Sequence, residues 1–202
     1  MPNPEHAADS LRALLRASKV DIRLVTALLD ELSPEARVHS ARSLGAREQK
    51  ALWQAAEGVY ELGLEFLVPS GVAAQTPVRH FGRNSLPAFT HFEKRFFRTA
   101  EGQVYGANFQ LMAPLTGPGY FGVSARPEQR ELLVDYGPAA LPSHAPAGWP
   151  AIVPNERGIS RLVYGFLVDR LRRVSEHVSI GEPARNGKAL GSWFVLCREA
   201  AP

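Results

Sequence analysis

Apolar residues recur at helical spacing through the first third of the chain and at alternating spacing through most of the rest. Leu11, Leu14 and Leu15 make a short stripe behind Asp9 and Ser10. Ile22, Val25, Leu28, Leu29 and Leu32 share one face of a second helix, opened by the capping-box-like run Ser18-Lys-Val-Asp. Ser33 reads as the N-cap of a third helix, with Pro34 in the first turn, where its missing N–H costs nothing. Gly45 suits a left-handed C-cap. Residues 46 to 66, carrying Leu52, Trp53, Ala56, Tyr60 and Leu64, predict a further helix weakened by Gly58 and Gly63.

From residue 68 the texture changes. Pro and Gly break the helical period in VPSGVAAQTP (68 to 77), and aromatic and β-branched residues follow, punctuated by turn dipeptides. FTHFEKRFFR and QVYGANFQLMA, joined at Glu101-Gly102, predict a hairpin that YFGVSA and RELLVDY extend into a meander of four antiparallel strands. Residues 137 to 157, with five prolines, read as an extended surface loop. Ile159, Leu162, Val163, Phe166 and Val174, widened by Leu167 and Leu171, then predict a helix over 158 to 174. Arg170, Arg172 and Arg173 would complement the negative end of its dipole. EHVSIG and ALGSWFVLCRE, about the turn Asn186-Gly187, close the chain as two more strands.

The expected architecture is α+β. A helical segment (1–67) precedes a region (68–202) of roughly six antiparallel strands, curved or half-open as a barrel, with one crossover helix, the two packing as one unit.

Composition alters this picture little. The chain has 202 residues, 45% hydrophobic and 21% charged, with a formal net charge of +3, which is only a mild bias towards anionic partners. The single cysteine, Cys197, forms no disulfide within the chain, and the N-terminus MPNPEHAADS has neither a cationic nor an apolar leader region, so a cytoplasmic location is expected. No apolar run approaches the ~20 residues of a membrane-spanning helix, so no transmembrane segment is expected. No Walker loop, GxGxxG, HxxxH, HExxH or CxxC spacing and no GxSxG elbow occurs, which points to no cofactor and no metal.

The least ordinary stretch is HFGRNSLPAFTHFEKRFFR, residues 80 to 98, with five phenylalanines, two histidines and four cations against one glutamate. A strand from Phe89 to Arg98 would set Phe89, His91, Glu93, Arg95 and Phe97 on one face and Thr90, Phe92, Lys94, Phe96 and Arg98 on the other. Neither face is purely apolar. His91, Glu93 and Arg95, spaced at about 7 Å, either line a cavity with a polar spot or form a solvated outer face with a cross-strand ion pair. His80, Arg83, Asn84 and Ser85 around Gly82 read as a turn, able to bind an anion or simply to bond its own backbone. Cys197, in an apolar closing strand, reads as a small buried hydrophobe.

Three functions compete. The first is a binding protein for a small, largely apolar ligand with a polar or anionic head, held between curved sheet and helix. It would be contacted by His91, Glu93 and Arg95, by Tyr105, Asn108 and Gln110 on the paired strand, and by Asp135, Trp149 and His177. The second is a cofactor-independent hydrolase or isomerase in the same pocket, with His91 or His177 as base and Asp135 or Glu93 orienting it. The third is an interaction module presenting residues 79–98 to nucleic acid or protein. Trp149, isolated between Gly148 and Pro150, either anchors the Pro-rich loop to the core or closes a pocket.

Overall fold

A computed structural model describes residues 3–88, 90–109, 117–156 and 160–200. The helical segment comprises α1 (Pro4–Arg16), α2 (Ile22–Glu31), α3 (Pro34–Arg42), α4 (Ala46–Ala55) and the single turn α5 (Leu64–Leu67). Ser33 caps α3 as expected, its hydroxyl accepting from the Ala36 N–H at 3.3 Å. Other signals act differently. Asp21, not Ser18, caps α2, accepting from the Arg23 N–H at 2.9 Å. Gly45 is the extended N-cap of α4 (φ −83°, ψ −176°), because Glu48 three residues on accepts its N–H at 3.1 Å. The helix expected over 46–66 breaks at Gly58, whose φ of 63° no helix accommodates.

The remaining elements are β1 (Val78–Asn84), β2 (His91–Arg98), β3 (Val104–Phe109), β4 (Tyr120–Arg126), β5 (Glu131–Asp135), a short α6 (Ser160–Tyr164), β6 (Leu167–Arg173), β7 (Val178–Arg185), β8 (Lys188–Ala189) and β9 (Phe194–Arg198). All pairings are antiparallel. The meander β1 to β6 is closed by β6–β7, β7–β9 and β9–β1, giving an eight-stranded closed barrel, with β8 a hairpin appendage of β7.

Two differences from expectation produce the closure. Residues 167–173, assigned by the sequence to the crossover helix over 158–174, form β6. Phe166 takes φ 58° and stops α6, and LVDRLRR then alternates, Leu167, Asp169 and Leu171 facing in and Arg170 and Arg172 facing out. The outward arginines serve cross-strand ion pairs and not a helix dipole: Arg170 pairs with Glu182, and Arg172 Nε lies 2.8 Å from Glu131 Oε1. A seven-residue run with apolar residues on both faces satisfies either period, and two open strand edges needing a partner decide for the strand. Residues 80–84, expected as a turn, belong to β1, which pairs with both β2 and β9. The expected strand start at Phe89 and the expected helix start at Ile159 lie outside the described residues.

An eight-stranded barrel has an interior just wide enough for its own side chains. Three cross-strand pairs occupy part of it, each a ring laid over a glycine: Phe92 opposite Gly82, Phe121 opposite Gly106, and Phe194 opposite Gly181. A Cβ on Gly82 or Gly106 would stand 2.6 Å from ring carbons of Phe92 or Phe121, and one on Gly181 closer still to Phe194. The barrel's ends are covered by chain. At one, α5 is held by His80 Nε2 to Leu67 O (3.0 Å), Arg198 to Phe66 O (2.9 Å) and Arg98 to Val68 O. At the other, Tyr164 of α6 stacks on Tyr136, centroids 5.3 Å apart at 12°.

The helices cover one outer side of the barrel. Leu11, Leu15, Val25, Leu29 and Leu52 join Val178, Ile180, Val195 and Cys197 of β7 and β9 in one buried cluster. Arg172 pins the two layers, donating to Trp53 O and Glu57 at 2.8 Å while its guanidinium lies 3.7 Å from the Trp53 ring centroid. On another outer side the Pro-rich loop is tied down. Trp149, half-buried, meets Phe97, Phe109 and Tyr120 at 5.5, 5.0 and 6.1 Å between ring centroids. Buried Asn155 donates to Tyr120 O (2.7 Å) and Tyr136 O (2.9 Å).

Trp149→Ala is therefore expected to destabilise by about 3 kcal/mol, the lower end of the range for losing a packed aromatic ring, read by urea denaturation. Gly181→Ala, which forces the Phe194 ring off its seat, is expected to cost about 1–3 kcal/mol in the same measurement. A loss under about half a kcal/mol at either site contradicts the packing described.

Candidate functional site

Two places concentrate chemistry. The first is a groove of about 710 Å³ between α3 and the outer face of β1 and β2. Helical spacing places Pro34, Val38 and Arg42 along one stripe of α3, which forms one wall. Phe81 and His91 form the floor, and Glu199 and Ala200 flank it. The Phe81 ring lies between two guanidiniums, Arg42 at 5.9 Å and Arg79 at 5.5 Å from its centroid. The charges are not evenly matched. Glu93 is engaged by Arg95 (2.8 Å) and Arg79 (3.6 Å), and Arg79 also reaches Glu199 (3.8 Å). Arg42 makes no ion pair among the described residues, and its Nε is buried without a hydrogen-bond partner. Burial depresses the Arg42 pKa, Glu93 opposes that and Arg83 adds to it. Arg83 donates to Arg42 O at 2.7 Å and has a partnerless buried Nε of its own. His91 is likewise depressed, by burial first and then by Arg42 and Arg83. A groove with spare guanidinium donors and an aromatic floor suits an anion attached to an apolar body.

The second place is the barrel lumen. The β2 register turns Phe92, Lys94 and Phe96 inward, towards Gly82, His80 and Val78 of β1. The Lys94 ammonium, 3% exposed, donates to Asp169 Oδ2 (3.0 Å), Asn108 Oδ1 (3.1 Å) and the Tyr136 hydroxyl. Tyr136 also accepts from Asn108 Nδ2 (3.0 Å) and donates to Asp169 (3.3 Å). Rings of Phe121, Tyr136, Phe194 and Phe92 stand 4.8 to 5.9 Å from the Lys94 nitrogen. Burial lowers the lysine pKa, and Asp169 opposes that. Tyr136 is raised well above its ordinary value, by burial first and then by Asp169.

Of the nine residues singled out by sequence, the eight that are described do not converge. His91 lines the groove, its Nδ1 3.3 Å from the Thr90 hydroxyl, and Glu93 and Arg95 lie on the same outer face, Arg95 4.1 Å over Phe109. Tyr105 and Asp135 share a separate cavity of about 440 Å³ on the outside of β3 to β5, Tyr105 donating to Gln103 (2.7 Å) and Asp135 accepting from Gly137 N (2.8 Å). Asn108 is in the lumen, and Trp149 packs on the outer aromatic cluster. His177 sits at the α5 end of the barrel, Nδ1 3.2 Å from Arg198, with Glu176 at 3.8 Å. Gln110 lies outside the described residues. The base–carboxylate pairs expected between His91 or His177 and Glu93 or Asp135 are not formed among the described residues. Sequence reasoning missed Lys94, Tyr136, Asp169 and Arg42. The signal for Lys94 was present: a lysine flanked at two-residue spacing by Phe92 and Phe96.

Among the described residues no three His, Cys, Asp or Glu side chains converge as a metal site, and no helix is long and apolar enough to cross a membrane. Comparison of the chain with models of known protein families, with curated protein sequences and with solved structures returns no match in any of the three. The chemistry of the two places is therefore the guide to function.

His80, fully buried between Phe96 and Phe66, supplies a pH test of the lumen. Its Nε2–H donates to Leu67 O, its Nδ1 has no partner, and burial pushes its pKa down from 6.5 to about 3. Between those values the unfolded chain takes up a proton that the folded one refuses, so stability falls as pH drops through this window, by up to about 1.4 kcal/mol per unit. His80→Gln keeps a donor for Leu67 and removes the titration. Denaturation at a series of pH values should show a shallower acid slope for the variant; equal slopes contradict a neutral buried imidazole.

Proposed function

We propose that this protein binds a small amphipathic ligand, a carboxylate, sulfonate or phosphate attached to an apolar body, in the groove between α3 and the β1–β2 face. The anionic head is held by Arg42, with Arg83 adding positive potential, and the body lies on Phe81 against Val38 and Pro34. The observation carrying this reading is the Arg42 guanidinium, which lines the groove and makes no ion pair among the described residues, while Glu93 is engaged by Arg95 and Arg79, Glu199 is engaged by Arg79, and Glu35 is a further carboxylate on the α3 wall. An anionic ligand gives this guanidinium the charge-assisted partner that no carboxylate of the groove supplies. The groove volume falls within the range usual for small-molecule sites.

The probe of choice is 1-anilinonaphthalene-8-sulfonate, which joins an aromatic body to an anion. Fluorescence titration should give saturable binding that weakens at least tenfold in Arg42→Gln and is unchanged in Arg12→Gln, whose guanidinium pairs with Asp9 on the exposed face of α1. Equal affinity in Arg42→Gln and the unaltered protein overturns the assignment. Native mass spectrometry of protein purified without detergent should show a co-purifying small anion, displaced by the probe.

A further inference from the structure

The lumen cluster is independent of the groove and of the reading given to it. A lysine fully inside an aromatic-walled barrel is costly to keep charged, and a leucine or methionine would fill its space without that cost. Here the amine is held against a phenol, a carboxylate and a carboxamide, the groups needed to move protons on and off a carbonyl oxygen and a nitrogen. We propose that Lys94 is a nucleophilic amine that condenses with a planar, aromatic or conjugated aldehyde to form an imine, with Tyr136 and Asp169 moving the protons.

The geometry also selects the ligand's shape. Tyr164, from the five-residue α6 at the barrel end, lies nearly parallel to Tyr136, and a Cβ on Gly119 would stand 2.5 Å from the Tyr164 ring, so backbone and ring are in close contact there. In the proposed binding step the Tyr164 ring swings aside and leaves a slot of ring thickness against Tyr136. An aromatic aldehyde occupying the slot takes over the stacking and points its carbonyl at the Lys94 nitrogen, 5.0 Å from the Tyr136 ring centroid.

The reaction starts as Lys94 Nζ passes one of its protons to the Asp169 carboxylate, 3.0 Å away, which leaves the neutral amine. The lone pair of Nζ attacks the carbonyl carbon, and the C=O pair moves onto oxygen, which takes the Tyr136 hydroxyl proton. The nitrogen, now carrying an extra proton, returns one to the tyrosinate. The Asp169 carboxyl then protonates the carbinolamine hydroxyl, the C–O bond breaks, water leaves, and the nitrogen lone pair closes the C=N bond. The product is a protonated imine beside the Asp169 carboxylate. One water is released, and no oxidant or metal is required. Burial disfavours the ammonium and so supports the reactive form, while the Asp169 charge opposes this until the carboxylate has taken the proton.

The test is reductive trapping. The whole protein is incubated with benzaldehyde and cyanoborohydride and digested, and benzylation is quantified at each of the four lysines, the exposed Lys19, Lys50 and Lys188 serving as internal references. Lys94 should be benzylated in the unaltered protein. Tyr164→Ala should speed its labelling at least fivefold, and Tyr136→Phe, which keeps the ring and removes the hydroxyl, should slow it at least tenfold, the three references keeping their rates in both variants. Lys94 left unmodified once the three exposed lysines have reacted fully overturns the proposal, as does labelling at Lys94 that is indifferent to the Tyr136 hydroxyl. The first outcome is read in the unaltered protein and so stands whether or not either variant folds.

Discussion

The rest of the structure depends on the β6–β7 ladder, running from Leu167 opposite Arg185 to Arg173 opposite Ser179. It joins a meander of six strands to the returning β7 and β9, and with β9 on β1 it leaves the barrel no open edge. Closure sets an interior that only side chains fill, which is why glycines stand opposite Phe92, Phe121 and Phe194: three rings enter the lumen only where the facing residue has no Cβ.

Closure also gives Lys94 its environment. On an open sheet the inward face of β2 would meet water along part of its length and the lysine would be solvated. Inside a closed barrel it needs partners, and β3, β5 and β6 bring Asn108, Tyr136 and Asp169 to it from separations of 14, 42 and 75 residues. Such a network favours one register, because moving any of these strands by a single residue sends its polar member to the outside and leaves a buried charge unpaired. The groove has a different origin. It forms where the α3 stripe of Pro34, Val38 and Arg42 meets an outward patch of β1 and β2, so it belongs to the contact between helical layer and barrel.

Much of the local structure was legible before any coordinates. Ser33-Pro34 marked the start of α3, the Asn186-Gly187 turn takes positive φ at both residues, and the strands from 91 to 135 follow the alternation read from the chain. The candidate site was less legible. Alternation correctly divided residues 90 to 98 between two faces, yet both carry cations and phenylalanines, so the pattern held no information about which face turns inward. The trio His91, Glu93 and Arg95 lies outside, and the lumen took Phe92, Lys94 and Phe96. Lys94 was not singled out because its partners are remote in sequence.

The sequence by itself determined the α-then-β order, the antiparallel meander, the Ser33 cap, the Asn186-Gly187 turn and the two-face division of β2, because each is set by interactions within a few residues: side-chain period, cap hydrogen bonds and backbone φ. Tertiary structure decided whether 167–173 was helix or strand, whether the sheet closed, which face of β2 became the lumen and which carboxylate met which cation. Those outcomes rest on pairing free backbone edges and desolvating charges between segments far apart in the chain, and no local pattern encodes such energies.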